Sequence, residues 1–442
     1  MKLTIIGTGY VGLSTGTCFA DMGHTVCCYD YDQNKIDRLN NNERVIFEPY
    51  LFEMIESNKN DYRLGFTSSL DEAIDADIFF ICVGTPSSED GSANLEYVIE
   101  AAKQLGKNAK RDFTVVNKST VPIGTGDLVK ETISEELRKR DSSIKFGVIS
   151  NPEFLKQGSA VNDFLRPDRI VVGYETEEAK EQMIELYRSF TLHHHKIIFM
   201  SIRSAEMTKY VSNSMLATKI SFMNEISNIC ELLKADVEDV RRGVGSDERI
   251  GYSFTYPGCG YGGSCFPKDV EALIYLAEQN GFDPQILKSV KQRNFNQKKL
   301  LFKKLSKSLN NEVKDKSIAV WGLSFKPETD DMREAPSITL VKEIIEAGGT
   351  VKAYDPAAME VSRKYFDKEV YDNGSLELVG NPYTAAENAD ALVLVTEWKV
   401  FRNPDFALLK SLMKKPVIID GRNQYTRTNM ENQGFVYEGM GK

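Results

Sequence analysis

The chain has 442 residues, 41% of them hydrophobic and 27% charged, with a formal net charge of −9. That length exceeds one ordinary core and implies about three domains. The acidic balance excludes general nucleic-acid binding, which needs a basic excess to displace counterions from phosphates. A small phosphorylated ligand stays open, because a few local basic groups and backbone N–H groups hold one.

No run of about 18 apolar residues is present, so no membrane span is expected. The first strand-like run leads straight into a glycine loop, without the apolar core and cleavage site of a signal peptide. The seven cysteines are odd in number, and most lie in apolar runs (Cys18, Cys27, Cys28, Cys82, Cys230). That is the usage of a reducing compartment, and a cytoplasmic protein is expected.

In the first half, short β-branched runs at 3–7, 25–30, 76–84, 113–119 and 145–150 alternate with longer amphipathic segments. Apolar strands interleaved with helices predict a parallel sheet covered on both faces. From about Ser204 to Leu233 neither Pro nor Gly interrupts an apolar pattern of helical spacing. It predicts one helix of roughly 30 residues, about 45 Å long. A second long helical pattern follows Pro284 and runs to about Leu309, with a glycine-rich stretch from Gly243 to Gly263 between the two.

Strand-like runs return at 317–325, 350–355, 389–397 and 416–423, where ADALVLVTE echoes ADIFFICVG and TVKAYD echoes TVCCYD. The expected fold is α/β, with two doubly wound Rossmann-like domains at 1–200 and 313–442. A central helical region at 201–312 joins them, carries the long helix and offers a dimer surface.

Gly7-Thr8-Gly9-Tyr10-Val11-Gly12 follows the first strand and opens a helix. Glycines permit a tight turn and close approach to a pyrophosphate, and the helix N-terminus supplies positive potential. Asp30 ends the second strand 18 residues after Gly12, where a carboxylate accepts from ribose hydroxyls and repels a 2′-phosphate. The pattern predicts dinucleotide binding, with NAD favoured over NADP. Thr85, Thr120 and Glu153 sit just after later strands, in Gly84-Thr85-Pro86, Thr120-Val121-Pro122 and Asn151-Pro152-Glu153. Ligands bind beyond the carboxyl ends of strands in such sheets, so these three are expected at the nicotinamide end. The alternative is that Thr-Pro and Asn-Pro only terminate strands.

Cys265 follows a loop bearing Gly258, Gly260, Gly262 and Gly263 and precedes Pro267. Pro favours the first turn of a helix, which places Cys265 at a helix N-terminus, where a thiolate is stabilised. Asp269 lies one turn on, and Lys268 further favours the anion. Cys259, between glycines, reads as a loop residue, and a buried small hydrophobe is the competing reading of Cys265 itself. Glu206, Lys209 and Asn213 share a helix face. Either they form a solvated strip, or Lys209 balances an oxyanion while Asn213 orients a substrate hydroxyl. His193-His194-His195 reads as a surface run in preference to a metal site, and no metal is expected.

The motifs GTGYVG, ICVGTP, KSTVP, NPEFL, Asp168–Gly173, Lys209-Tyr210 with Asn213, and GYGGSCFPKD resemble the UDP-glucose 6-dehydrogenase family. So do Phe325-Lys326-Pro327, Asp330–Arg333, Thr396–Trp398 and Asp420–Asn423; in family order these span Gly7 to Asn423. The resemblance implies a four-electron, NAD-dependent oxidation of a sugar C6 alcohol to a carboxylate. Cys265 would pass through a thiohemiacetal and a thioester, and Asp269, Thr120 and Asn213 would hold the hydrolytic water. Glu153 would be an acid or base on the substrate side. It also implies NAD contacts for Lys35, Lys268 and Arg333. Substrate contacts are implied for Phe154, Leu155, Lys156, Tyr261, Gly262, Lys326 and Arg422, and for Arg249, often from the partner subunit.

The Lys after Pro in the cysteine motif points to UDP-glucose or GDP-mannose, with N-acetylhexosamine nucleotides as the further alternative. A homodimer through the central helices is expected. A two-electron hydroxyacid dehydrogenase and a silent nucleotide-sugar-binding protein are the more distant readings. One departure stands out: relatives commonly carry an acid four residues after the Glu of NPEFL, and this chain has Gln157.

Overall fold

The structure is a computed structural model that describes every residue except Glu89 and residues 191–195. The histidine run at 193–195 therefore lies outside the described residues. The chain divides into two compact units, Met1–Ser212 and Asn213–Lys442.

The first unit is built on strands β1 (Lys2–Ile6), β2 (Thr25–Tyr29), β3 (Leu64–Thr67), β4 (Ile78–Ile81), β5 (Phe113–Asn117), β6 (Phe146–Ser150), β7 (Ile170–Tyr174) and β8 (Ile197–Met200). They form one sheet in the order β3-β2-β1-β4-β5-β6-β7-β8. All of β4 and β5 is buried, which explains their unbroken apolar runs: helices cover both faces. β6 and β7 pair antiparallel, a departure from the expected parallel sheet. The only helix between them, Ala160–Leu165, has six residues. At 1.5 Å per residue it is too short to carry the chain back along a strand before the next begins.

In the second unit β9 (Ser317–Trp321), β10 (Thr350–Tyr354), β11 (Leu376–Leu378), β12 (Ala391–Leu394), β13 (Val417–Asp420) and β14 (Val436–Glu438) form an all-parallel sheet, ordered β11-β10-β9-β12-β13-β14. This is the order of the first six strands again, so the internal echo in the sequence is an echo of topology. β3, β7, β8, β11 and β14, absent from the sequence reading, are all short, between three and five residues.

The long helix spans Ile202–Leu233, 32 residues; the unit boundary falls within it, after Ser212. The helical run after Pro284 divides into Gln285–Lys298 and Leu300–Ser308. Each half serves a different partner. Asn294 and Gln297 bond the backbone of the glycine-rich loop at Tyr261 and Gly258, whereas Leu301, Leu305 and Leu309 enter the core of the second sheet. Among the described residues no helix is long and apolar enough to cross a membrane.

Candidate active site

The helix Tyr10–Asp21 begins at Gly9, and no side chain caps it. Its first N–H groups are free for an anion. Gly12 is required: a Cβ there would meet the Gly7 carbonyl oxygen at 1.9 Å. A Cβ on Gly9 would meet nothing within 4 Å, so the loop is open on that side, as close approach of a pyrophosphate requires. Asp30, 5% exposed at the end of β2, accepts from the Thr8 backbone N–H and hydroxyl at 2.8 and 2.7 Å and pairs with Lys35 at 2.8 Å. Burial opposes its ionisation, but Lys35 and the Thr8 donors hold its carboxyl below the usual range. The loop, the uncapped helix and the ionised acid fit a dinucleotide.

At the ends of β4 and β5 the Thr85 hydroxyl donates to the Thr120 carbonyl at 2.8 Å, and Ser119 donates to the Val83 carbonyl at 2.7 Å. The two Pro-punctuated loops are thus joined as one ledge. Glu153 is buried after β6. One of its oxygens accepts from Lys209 at 3.1 Å and the other from the Leu155 N–H at 2.5 Å. The Phe154 ring lies 5.3 Å from the Lys209 ammonium and 4.1 Å from the Arg169 guanidinium. Glu206, Lys209 and Asn213 are 2%, 3% and 6% exposed, so this face of the long helix is not a solvated strip.

In the second unit Cys265 immediately precedes the helix Phe266–Gln279, with Pro267 in its first turn. The loop before it is pressed onto the segment 333–335: the Gly263 N–H donates to the Arg333 carbonyl at 2.7 Å. Gly263 has φ +88° and lies against the Phe325 ring, which a side chain would displace. The Cys265 sulfur lies 3.4 Å from the Ser264 hydroxyl. Burial works against the Arg333 guanidinium, yet the Asp331 carboxylate and then Cys265 raise its pKa. A positive charge thus sits where it favours the thiolate. Asp269, 1% exposed, accepts from Asn213 at 2.6 Å and pairs with Lys268 at 2.9 Å.

Cys259 is wholly buried and burial raises its thiol pKa, which leaves it inert. Tyr261 is buried beside Phe266, and Gly262 packs on the Glu334 carbonyl. The Lys326 ammonium lies 5.7 Å from the Phe325 ring. Arg422 is turned inward, its Nε donating to the Val395 carbonyl at 2.8 Å and pairing with Glu397 at 3.2 Å. The Arg249 side chain is 88% exposed and paired with Asp247; the second unit gathers it to no other site residue. Lys156 is exposed and pairs with Asp163 at 3.2 Å.

Sequence reasoning missed two groups, Lys118 and Glu48, and for Glu206, which it placed on the helix face with Lys209, it missed the partners. Lys118 is buried and donates to Asn151 at 3.0 Å; burial pulls its pKa down to about 8. Glu206 accepts from the Gly124 and Gly126 N–H groups at 2.6 and 2.7 Å. Glu48 holds the backbone after NPEFL. Lys118 stands inside KSTVP and was within reach of that motif. Glu48 carried no local signal.

The dinucleotide loop, the acid at β2 and the cysteine at a helix head define the class: an NAD-dependent dehydrogenase. Three models of the UDP-glucose/GDP-mannose dehydrogenase family match the chain, the NAD binding domain over 1–191, the central domain over 203–296 and the UDP binding domain over 319–427. The chain belongs to that family. It is 49% identical to a UDP-glucose 6-dehydrogenase of Pseudomonas aeruginosa, covering 100% of this chain and 98% of that one. With UDP-glucose 6-dehydrogenase YwqF of Bacillus subtilis the identity is 45%, over 100% and 98% of the two chains. A solved UDP-glucose dehydrogenase from Pyrobaculum islandicum superposes with a TM-score of 0.90 at 36% identity, covering 100% of this chain and 97% of that one.

Proposed function

We propose that this enzyme oxidises the C6 alcohol of UDP-glucose to the carboxylate of UDP-glucuronate, in two two-electron steps that consume one water. The observation that carries the reading is the cysteine set: Cys265 at the head of a helix, with Asp269 one turn on and bonded to Asn213. The 49% full-length identity to a UDP-glucose 6-dehydrogenase supports the substrate. Functionally the chain divides as 1–200 for NAD, 201–312 for the cysteine chemistry and 313–442 for the uridine nucleotide.

Gly7–Gly12, Asp30 and Lys35 with Thr85, Lys268 and Arg333 would hold NAD, which would supply the oxidising power as a hydride acceptor in each step. Glu153 takes the alcohol's proton, and Lys209, paired with Glu153 at 3.1 Å, stabilises the negative charge that develops on the sugar oxygen. The Cys265 thiolate then adds to the C6 aldehyde as a thiohemiacetal, whose oxidation leaves a thioester. Asp269, oriented by Asn213 and aided by Thr120, takes a proton from the attacking water. The C–S bond breaks and the thiolate returns. With Gln157 in place of an acid, that hydrolysis depends on Asp269. Phe154, Leu155, Lys156, Tyr261, Gly262, Lys326, Arg249 and Arg422 are the proposed contacts to the sugar nucleotide.

The enzyme works in the cytoplasm as a homodimer. Met207, Val211, Met215, Phe222, Ile229 and Leu233 are exposed on the long helix at intervals of four and seven residues, a continuous apolar seam for a second copy. The deciding measurement is the NADH formed per UDP-glucose consumed. Two is expected; one would mean a two-electron dehydrogenase, and turnover confined to GDP-mannose or an N-acetylhexosamine nucleotide would replace the substrate.

A further inference from the structure

Glu48 lies between the helices Gln33–Asn40 and Leu51–Asn60, far in sequence from every motif above, yet its carboxylate is 7% exposed and met from two functional segments. From one side the Tyr10 hydroxyl donates to Oε2. From the other the Gly158 N–H donates to the same oxygen at 2.7 Å and the Ala160 N–H to Oε1 at 2.8 Å. Tyr10 is the first residue of the helix that opens at the glycine loop, and its hydroxyl also lies 3.0 Å from the Lys156 carbonyl. Burial, and then the bond to Glu48, push the Tyr10 phenol far above its ordinary pKa, so it remains a donor. Gly158, at φ +81°, turns the chain so that two nearby N–H groups reach one carboxylate. Residues 151–156 have no helix or strand of their own; their far end is held by the Tyr10 hydroxyl at the Lys156 carbonyl and by Asp163 on the Lys156 N–H. Glu48 anchors both Tyr10 and the chain just beyond, at Gly158 and Ala160.

We infer that Glu48 is a positioning residue that couples the cofactor loop to the segment carrying Phe154, Leu155 and Lys156. A dinucleotide on the glycine loop steadies Tyr10; Tyr10 steadies Glu48; Glu48 sets the backbone from Lys156 to Ala160. Because coupling between two ligands is reciprocal, each then binds more tightly in the presence of the other. The inference rests on the proposed role of 153–156 in holding the sugar nucleotide.

The test is calorimetric titration of UDP-glucose with and without saturating NADH, on the unaltered enzyme and on Tyr10→Phe and Glu48→Gln proteins. NADH should tighten UDP-glucose about fivefold or more in the unaltered enzyme, and in both variants that factor should fall close to one. Glu48→Gln should also raise the KM for UDP-glucose more than it lowers kcat, which a general loss of folded protein would not do. Should Glu48→Gln fail to fold, Tyr10→Phe, which removes a single hydroxyl, decides alone. An unaltered enzyme without coupling, or a Tyr10→Phe protein that retains it, overturns the inference. Failure of UDP-glucose to bind at all, with NADH binding intact, instead overturns the substrate reading and the inference with it.

Discussion

A cysteine works as a nucleophile only as its thiolate, and the seven cysteines of this chain differ mainly in surroundings. Burial pushes Cys82 up to about 12 and Cys27 up to about 11. Cys265 alone heads a helix and faces Arg333. A Cys265→Ser enzyme should lose roughly a thousandfold or more in steady-state turnover, releasing at most one NADH per site before it stalls, as read by stopped-flow absorbance. Full two-NADH turnover in that variant would exclude covalent catalysis. Asp30 invites a different test. It holds Lys35 at 2.8 Å, and its removal frees that ammonium for a 2′-phosphate. Asp30→Ala should weaken NAD roughly tenfold, the value of one or two hydrogen bonds to a charged group, and narrow the NAD-over-NADP ratio of kcat/KM. Cys265 and Asp30 were legible because local cues mark them, a glycine loop and a helix start for one and a strand end for the other.

Among the elements, the long helix carries the most. Its first turns hold Glu206 against the N-terminus of the helix Thr125–Lys139, just after the Thr120 loop, and present Lys209 to Glu153. Burial raises Glu206 to about 7, partly offset by the Gly124 and Gly126 N–H groups; Asp127 raises it further and Arg203 opposes that. The folded protein therefore binds a proton that the unfolded chain releases near the ordinary carboxyl value. Stability from this group is full below that value and is lost as pH rises to about 7. The effect is at most on the order of 3 kcal/mol. Glu206→Gln should remove the slope: the melting temperature of the variant relative to the unaltered protein should rise from pH 5 to pH 8. A constant difference across that range would count against it. The helix itself was readable from 30 residues without Pro or Gly. Its burial was not, since polar spacing alone does not separate a solvated strip from a site.

For the whole molecule, the exposed seam on the long helix predicts association. Glutamates at Met215 and Phe222, 59% and 58% exposed, would place like charges on both faces of a two-fold contact at little cost to the fold. Light scattering should give twice the chain mass for the unaltered protein and the single mass for the Met215→Glu, Phe222→Glu double variant. A monomeric unaltered enzyme would end the proposal.

The sequence by itself determined the paired doubly wound sheets, the dinucleotide loop with its acid, the long helix and the cysteine at a helix head. Each rests on a pattern within a few tens of residues: strand and helix periodicity, glycine spacing, a Pro in a first turn. Tertiary structure alone decided the antiparallel turn at β7, the division of the second helical run at Lys299 and the inward pairing of Arg422. It also decided the role of Glu48, whose donors lie 38, 110 and 112 residues away. A buried carboxylate takes whatever N–H and O–H groups folding brings to it, and no local pattern specifies those groups.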